Sequence, residues 1–131
     1  MILLDSNIII YATQPEHSFL LEMMRDRYVF VSTITKVEVL GYHKLTTTER
    51  SSLENFFRNT FQLPVTAPII DRAIHIRQKR KIGLADSLIA ATALVHSVLL
   101  VTRNTVDFIW IPDLQVLNPF QDQIPDDEAS A

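Results

Sequence analysis

The sequence predicts an α/β domain, three layers deep (α/β/α), around a central, mainly parallel sheet of four or five strands. Two features lead there. Short apolar or β-branched runs alternate with longer stretches of helical spacing from Ile2 to Leu117. Strands separated by helices pair in parallel and are covered by those helices on both faces. The 131 residues are 47% hydrophobic and 21% charged, enough apolar material for a single core without staples. No repeat and no linker divides the chain, so residues 1–120 are read as one domain.

Ile2-Leu3-Leu4 reads as the first strand, ending at Asp5, and Ser6-Asn7 can cap the helical turn that follows. From His17 to Arg27 the residues Phe19, Leu20, Met23 and Met24 form an apolar stripe at helical spacing. Tyr28-Val29-Phe30-Val31, aromatic and β-branched, is the second strand. Ser32 or Thr33 then caps a helix running to about Leu45. Thr46 to Glu49 is the polar start of another helix, which turns Leu53, Phe56, Phe57 and Phe61 inward. Leu63 to Thr66 is a short strand, and Pro68 opens a helix that reaches about Arg80. Gly83 punctuates the chain before the nearly all-apolar helix Leu84 to Ser97. Val98 to Thr102 is the clearest strand, and Leu114 to Leu117 is the last. Residues 121–131 collect Asp122, Asp126, Asp127 and Glu128 among Gln, Pro, Ala and Ser. They read as an acidic, flexible tail with no core to join.

Composition excludes several chemistries. With only Gly41 and Gly83, neither a dinucleotide fingerprint nor a phosphate-cradling P-loop can be written. The absence of cysteine removes thiolate catalysis and Cys-based zinc sites, and fits a reducing cytosol. The most apolar run, Leu88 to Val101, is 14 residues long and contains His96 and Ser97. A membrane span needs about 20 residues. Asp5 interrupts the first apolar run, unlike a signal peptide. All 12 Lys and Arg precede Gln121, alongside 11 of the 15 acids, so no broad basic surface is announced. Nucleic-acid binding by such a chain must be local.

In parallel sheets ligands gather outside the carboxyl ends of the strands, and the sequence places several acids there. Asp5 ends the first strand, where it serves either as a helix N-cap or as a site residue. Asp86 is the only charge between Leu84 and Val101. A helix that precedes a parallel strand starts at the carboxyl edge, which puts Asp86 in its first turn, favourable to the helix dipole and partly enclosed. Glu38 lies in the second turn of the helix after the second strand, among Ile34, Val37, Val39 and Tyr42. Thr102-Arg103-Asn104 follow the clearest strand, with Asp107 three residues on. Asn104 is otherwise a turn former and Asp107 loop surface. Asp71, whose helical face continues through His75, Gln78 and Lys79, reads as a surface residue. Converging carboxylates repel unless protonated or neutralised. No basic cluster borders them closely enough to neutralise three. Oxygen-only ligands and no cysteine point to a hard cation, Mg²⁺ or Mn²⁺.

At these residues the chain resembles the PIN-domain family, specifically the small VapC-like toxin ribonucleases of type II toxin–antitoxin pairs. The matching pieces are M-I-L-L-D-S-N-I-I at the start, T-I-T-K-V-E-V at 33–39, G-L-A-D-S-L-I-A-A-T-A-L at 83–94, T-R-N-T-V-D-F at 102–108 and V-L-N-P-F at 116–120. The resemblance implies a metal-dependent endoribonuclease that binds Mg²⁺, with Mn²⁺ substituting. Carried over by position, Asp5, Glu38 and Asp86 match three catalytic and metal-binding acids, and Asn104 or Asp107 fills the fourth place. The hydroxyls of Ser6 and Thr102 resemble positions kept near the site. Lys81 and Arg103 are the candidates for holding flanking RNA phosphates.

The resemblance further implies a cytoplasmic protein, a homodimer, and a groove for a cognate antitoxin. The apolar side chains on the short helices agree, since a small sheet leaves some of them uncovered. Because Asn104 is neutral, the competing reading is a PIN-fold interaction module without useful catalysis.

Overall fold

The computed structural model describes residues 1–127. The strands are β1 (Ile2–Leu4), β2 (Val29–Ser32), β3 (Phe61–Leu63), β4 (Leu99–Val101) and β5 (Val116–Leu117). The helices are α1 (Ser6–Ala12), α2 (Phe19–Met24), α3 (Thr33–Leu40), α4 (Thr47–Arg58), α5 (Ala67–Lys79) and α6 (Leu84–His96). Single helical turns lie at Pro15–His17 and Thr105–Asp107. The strands form one five-stranded sheet in the order β3-β2-β1-β4-β5, every pair parallel.

β1 is the middle strand, with Ile2 opposite Val29 on one side and Leu99 on the other. Successive strand side chains point to opposite faces. Leu3 therefore packs with Ile69, Ile76, Ile89 and Phe108 on the α5/α6 side. Ile2 and Leu4 pack with Ile8, Ile9, Leu53 and Phe57 on the α1/α4 side. Burial on both faces is why the run is apolar at every position instead of alternating. This is the three-layer α/β/α arrangement that the alternating pattern predicts.

Several boundaries differ from the sequence reading. α3 stops at Leu40, with Gly41 as its C-cap, well short of Leu45. α2 is confined to Phe19–Met24, behind the separate turn that Pro15 opens. α4 begins with a capping box between Thr46 and Glu49 and ends at Arg58, so Phe61 falls outside its buried stripe. Phe61 instead belongs to the edge strand β3, where it is 56% exposed with its ring beside Phe30 and Tyr28. Within α2, Leu20 is fully buried while Phe19 stays exposed.

The largest departure is at the carboxyl end. The stretch from Gln121 to Asp127, expected as solvated tail, folds back along the amino-terminal edge of the sheet. Ile124 is buried in the cluster that holds Ile2 and Val29. The Arg27 guanidinium donates to the Ile124 carbonyl at 2.8 Å and also to the Pro125 carbonyl. The buried Asp127 carboxylate accepts the Tyr28 N–H at 2.9 Å and meets the terminal ammonium of Met1. One apolar anchor and one arginine thus give this segment a core to join. Residues 128–131 lie outside the described residues.

Candidate active site

From β1 the chain builds outward through β2 to β3, then crosses over to lay down β4 and β5 on the other side. The order reverses between β1 and β4, and ligand crevices form at such a reversal, beyond the carboxyl ends of the strands. Asp5 follows β1 and Thr102 follows β4, so these two side chains meet there.

Asp5 is buried at 6% exposure and caps α1. One carboxylate oxygen accepts the Ser6 N–H at 2.8 Å, and the other accepts the Thr102 hydroxyl at 2.8 Å. Thr102 is fully buried, and its Oγ1 accepts the Asn104 N–H at 3.1 Å. The capping role expected of Asp5 is therefore observed on one oxygen, while the other is held by Thr102. Burial pushes the Asp5 carboxyl up; the Thr102 and Ser6 hydrogen bonds oppose it, and the charge of Asp107 adds to the rise, which prevails.

Asp86 stands half-buried in the first turn of α6, as its place before a parallel strand predicts. Its pKa is raised by desolvation first, then by Asp5 and Asp107. Glu38 projects from α3, which packs against α6, and is raised by partial enclosure, then by Asp5 and Asp86. One turn earlier on α3, Thr35 is fully buried with a hydroxyl that has no partner among the described residues. Asp107 is exposed in the turn Thr105–Asp107 and reaches the others through its charge. Among the described residues none of the four carboxylates takes part in a salt bridge. Their charges act on one another, but the side chains do not close on one point: among the described residues no three His, Cys, Asp or Glu side chains stand in ligand geometry.

The supporting residues act differently from one another. Ser6 contributes its backbone N–H to Asp5. Asn104 works through its backbone, donating to Thr102 and accepting the Asp107 N–H at 3.1 Å, while its side chain is exposed. The Asp107 carbonyl accepts Trp110 Nε1 at 2.9 Å, which braces that turn, and Arg80 lies over the Trp110 ring at 5.2 Å. Lys81 is exposed just ahead of α6. Arg103 lies over the rings of Phe120 and Tyr11. Asp71 is exposed on α5, and His96 ends α6 at the opposite edge.

Sequence reasoning passed over Asn118, which follows β5 and is buried. Its amide donates to the Arg103 carbonyl at 3.4 Å and its oxygen accepts the Phe120 N–H at 2.9 Å. The Asn-Pro pair signals only a turn. Its place beside the Thr102 loop comes from the pairing of β5 with β4. A groove of about 640 Å³, walled in part by Ile10, Tyr42, Leu45 and Leu53, opens beside the site and reaches Ser6 and Glu38.

The family model of the PIN domain matches residues 2–109. A curated relative, Ribonuclease VapC of Rickettsia bellii (strain RML369-C), is 44% identical over 59 residues. That match takes in 44% of this chain and 42% of the relative, so the chain spans under half the length of that protein. Among solved structures, a toxin–antitoxin complex from Klebsiella pneumoniae contains a chain 30% identical, with a TM-score of 0.74 over 91% of this chain and 98% of that one. VapBC2 from Rickettsia felis, bound to a DNA fragment from its promoter, contains a chain 26% identical, with a TM-score of 0.77 over 90% and 98%.

Proposed function

This chain belongs to the PIN domain family, and on that premise we propose that it is a metal-dependent endoribonuclease, the toxin of a toxin–antitoxin pair. The observation that carries the reading is the placing of Asp5, Glu38, Asp86 and Asp107 near enough for their charges to act on one another, beside the point where the strand order reverses.

The donor set suits Mg²⁺ or Mn²⁺. It is all oxygen, it has no competing ion pair among the described residues, and it carries a mutual repulsion that a cation relieves. Asp5, Glu38, Asp86 and Asp107 would hold the ion. Asp5 is fixed by two donors, whereas Glu38 and Asp86 have the exposure to swing inward. When bound, a divalent ion activates water, neutralises the phosphate and stabilises the leaving oxygen.

The chain's own residues supply the rest. Ser6 and Thr102 keep Asp5 oriented and favour its charged form. Glu38, exposed and with a raised pKa, is suited to take the proton of the water that attacks phosphorus. As the new phosphorus–oxygen bond forms, the bond to the departing ribose oxygen breaks and that oxygen is protonated from solvent. Lys81 offers a contact for a flanking phosphate.

For partners we propose an antitoxin segment in the groove beside Glu38 and a second copy of this chain, in the cytoplasm. The named relatives in toxin–antitoxin complexes support the first. No helix among the described residues is long and apolar enough to cross a membrane.

The open arrangement of the carboxylates favours a second reading, a PIN-fold interaction module without turnover. One assay separates the two. Cleavage of a structured RNA in Mg²⁺, abolished by EDTA and restored by Mn²⁺, supports the nuclease. Cleavage indifferent to chelation overturns the metal mechanism, and no cleavage in either ion leaves the module.

A further inference from the structure

We propose that Arg103 and the rings beneath it form a stacking seat for one unpaired base of the RNA, next to the bond that is cut. The inference rests on the ribonuclease reading above and concerns which side chains would hold that base.

Four stretches of chain send a ring to one place: Tyr11 from α1, His17 from the turn before α2, Phe19 from α2, and Phe120 from beyond β5. The rings meet edge to face, with Phe120 5.3 Å from Tyr11, 5.3 Å from His17 and 5.2 Å from Phe19. The Arg103 guanidinium lies over this group, 4.0 Å from the Phe120 centroid and 5.0 Å from that of Tyr11. It is exposed, and among the described residues no carboxylate pairs with it. A planar cation is thus held by rings instead of by an anion, at the mouth of a site otherwise lined with acids.

The seat is tied to the site's backbone. Arg103 sits between Thr102, which holds Asp5, and Asn104, which holds Thr102. Its N–H approaches the Asn7 side chain at 3.4 Å, and its carbonyl accepts from Asn118. A base seated here lies one residue along the loop from the group that orients Asp5.

The chemistry selects the ligand. Guanidinium planes and aromatic rings bind bases that have left the stack, and single-stranded nucleic acid is gripped by such surfaces beside a cationic contact. Phe19 keeps 43% of its surface open at the rim, where a second face is available. A paired base, stacked inside a duplex, has no free face to offer.

The test uses the Asp86→Asn protein, so that binding is read without turnover. The probe is a single strand of about ten nucleotides carrying 2-aminopurine at successive positions. Stacking on the seat should quench its emission. Adding Arg103→Lys, which keeps the charge and loses the plane, should abolish the quench and weaken binding about tenfold. The same base in a duplex should show no quench. An unchanged quench with Arg103→Lys, or an equal quench in the duplex, overturns the seat. So does a loss with Arg103→Ala that Arg103→Lys fully restores, since Arg103 is then a phosphate contact alone. Phe19→Leu repeats the reading if Arg103→Lys lowers the melting temperature. A wild-type chain that cleaves no RNA overturns the ribonuclease reading, while the quench decides the seat separately.

Discussion

The Thr102 hydroxyl donates to the Asp5 carboxylate at 2.8 Å, a buried bond between residues 97 positions apart in the chain. It joins the carboxyl ends of β4 and β1 where the strand order reverses, and it stabilises the charged form of Asp5 against the burial that disfavours it. Thr102→Val keeps the shape and removes the donor. It is expected to cost about 1–3 kcal/mol of stability at neutral pH, because a buried carboxylate loses one of its two donors. It should also lift the Asp5 pKa further and move the acid limb of the pH–rate profile upward. Thr102→Ser should restore both readings, and an acid limb unmoved in Thr102→Val would show that the bond does not tune Asp5.

Asp5→Asn, Glu38→Gln and Asp86→Asn are each expected to lower turnover by about a hundredfold or more, the scale of losing a positioned acid–base or metal-binding group. Circular dichroism should show the fold intact in all three. Asp71→Asn, exposed on α5, should leave turnover within twofold of wild type.

At the fourth position Asp107→Asn should reduce activity more than Asn104→Ala. The charge of Asp107 acts on both Asp5 and Asp86, whereas Asn104 contributes through backbone groups that alanine retains. Equal activity in Asp107→Asn and wild type would assign Asp107 to the loop surface.

The pH dependence of stability should reverse when the ion is bound. Asp5, Glu38 and Asp86 all have folded pKa values raised above their ordinary ones. Their contribution is therefore most favourable below the ordinary carboxylate range and is lost as pH rises through the folded values. In EDTA, the gain in melting temperature from Asp86→Asn should be larger at about pH 7.5 than at about pH 5. In Mg²⁺ the wild-type chain should gain on the variant as pH rises, because the ion binds deprotonated carboxylates. Melting curves at the two pH values, with and without the ion, check both statements.

The carboxyl-terminal strap should matter for folding and not for chemistry. Ile124→Ala deletes a buried side chain and is expected to cost about 2–3 kcal/mol by denaturant titration. For Asp127, burial raises the pKa, but the hydrogen bond from the chain's amino terminus, the Tyr28 N–H and the charges of that terminus and Arg27 outweigh it and hold the group below its ordinary value. Its stabilisation is present above that ordinary value and is lost as pH falls through the depressed one. Asp127→Asn should therefore destabilise the chain at neutral pH and matter less in acid, with RNA cleavage per folded molecule unchanged in both variants.

The sequence made much of the candidate site legible because placement at a sheet edge follows from local rules. A residue just after a parallel strand, or in the first turn of a helix before one, lies at the carboxyl edge whatever the strand order. Asp5, Asp86 and the Thr102 loop are of that kind. Glu38 showed itself as an acid among apolar neighbours, and Asp71 as an acid on a polar face. Phe61 misled for the same local reason: it continues the spacing of Leu53 and Phe57, but α4 ends at Arg58 and the residue passes to an edge strand.

What the sequence by itself determined, then, is the succession of strands and helices and the edge on which the acids gather, since both depend on periodicity over a few residues. The tertiary structure decided which neighbours each residue has. Strand order set Thr102 against Asp5, and β4–β5 pairing brought Asn118 and Phe120 beside Arg103 and Tyr11. Burial of Ile124 drew back a segment whose composition reads as solvated. These contacts join stretches that no local pattern relates, and they exist because closing one core around a single sheet brings those stretches together.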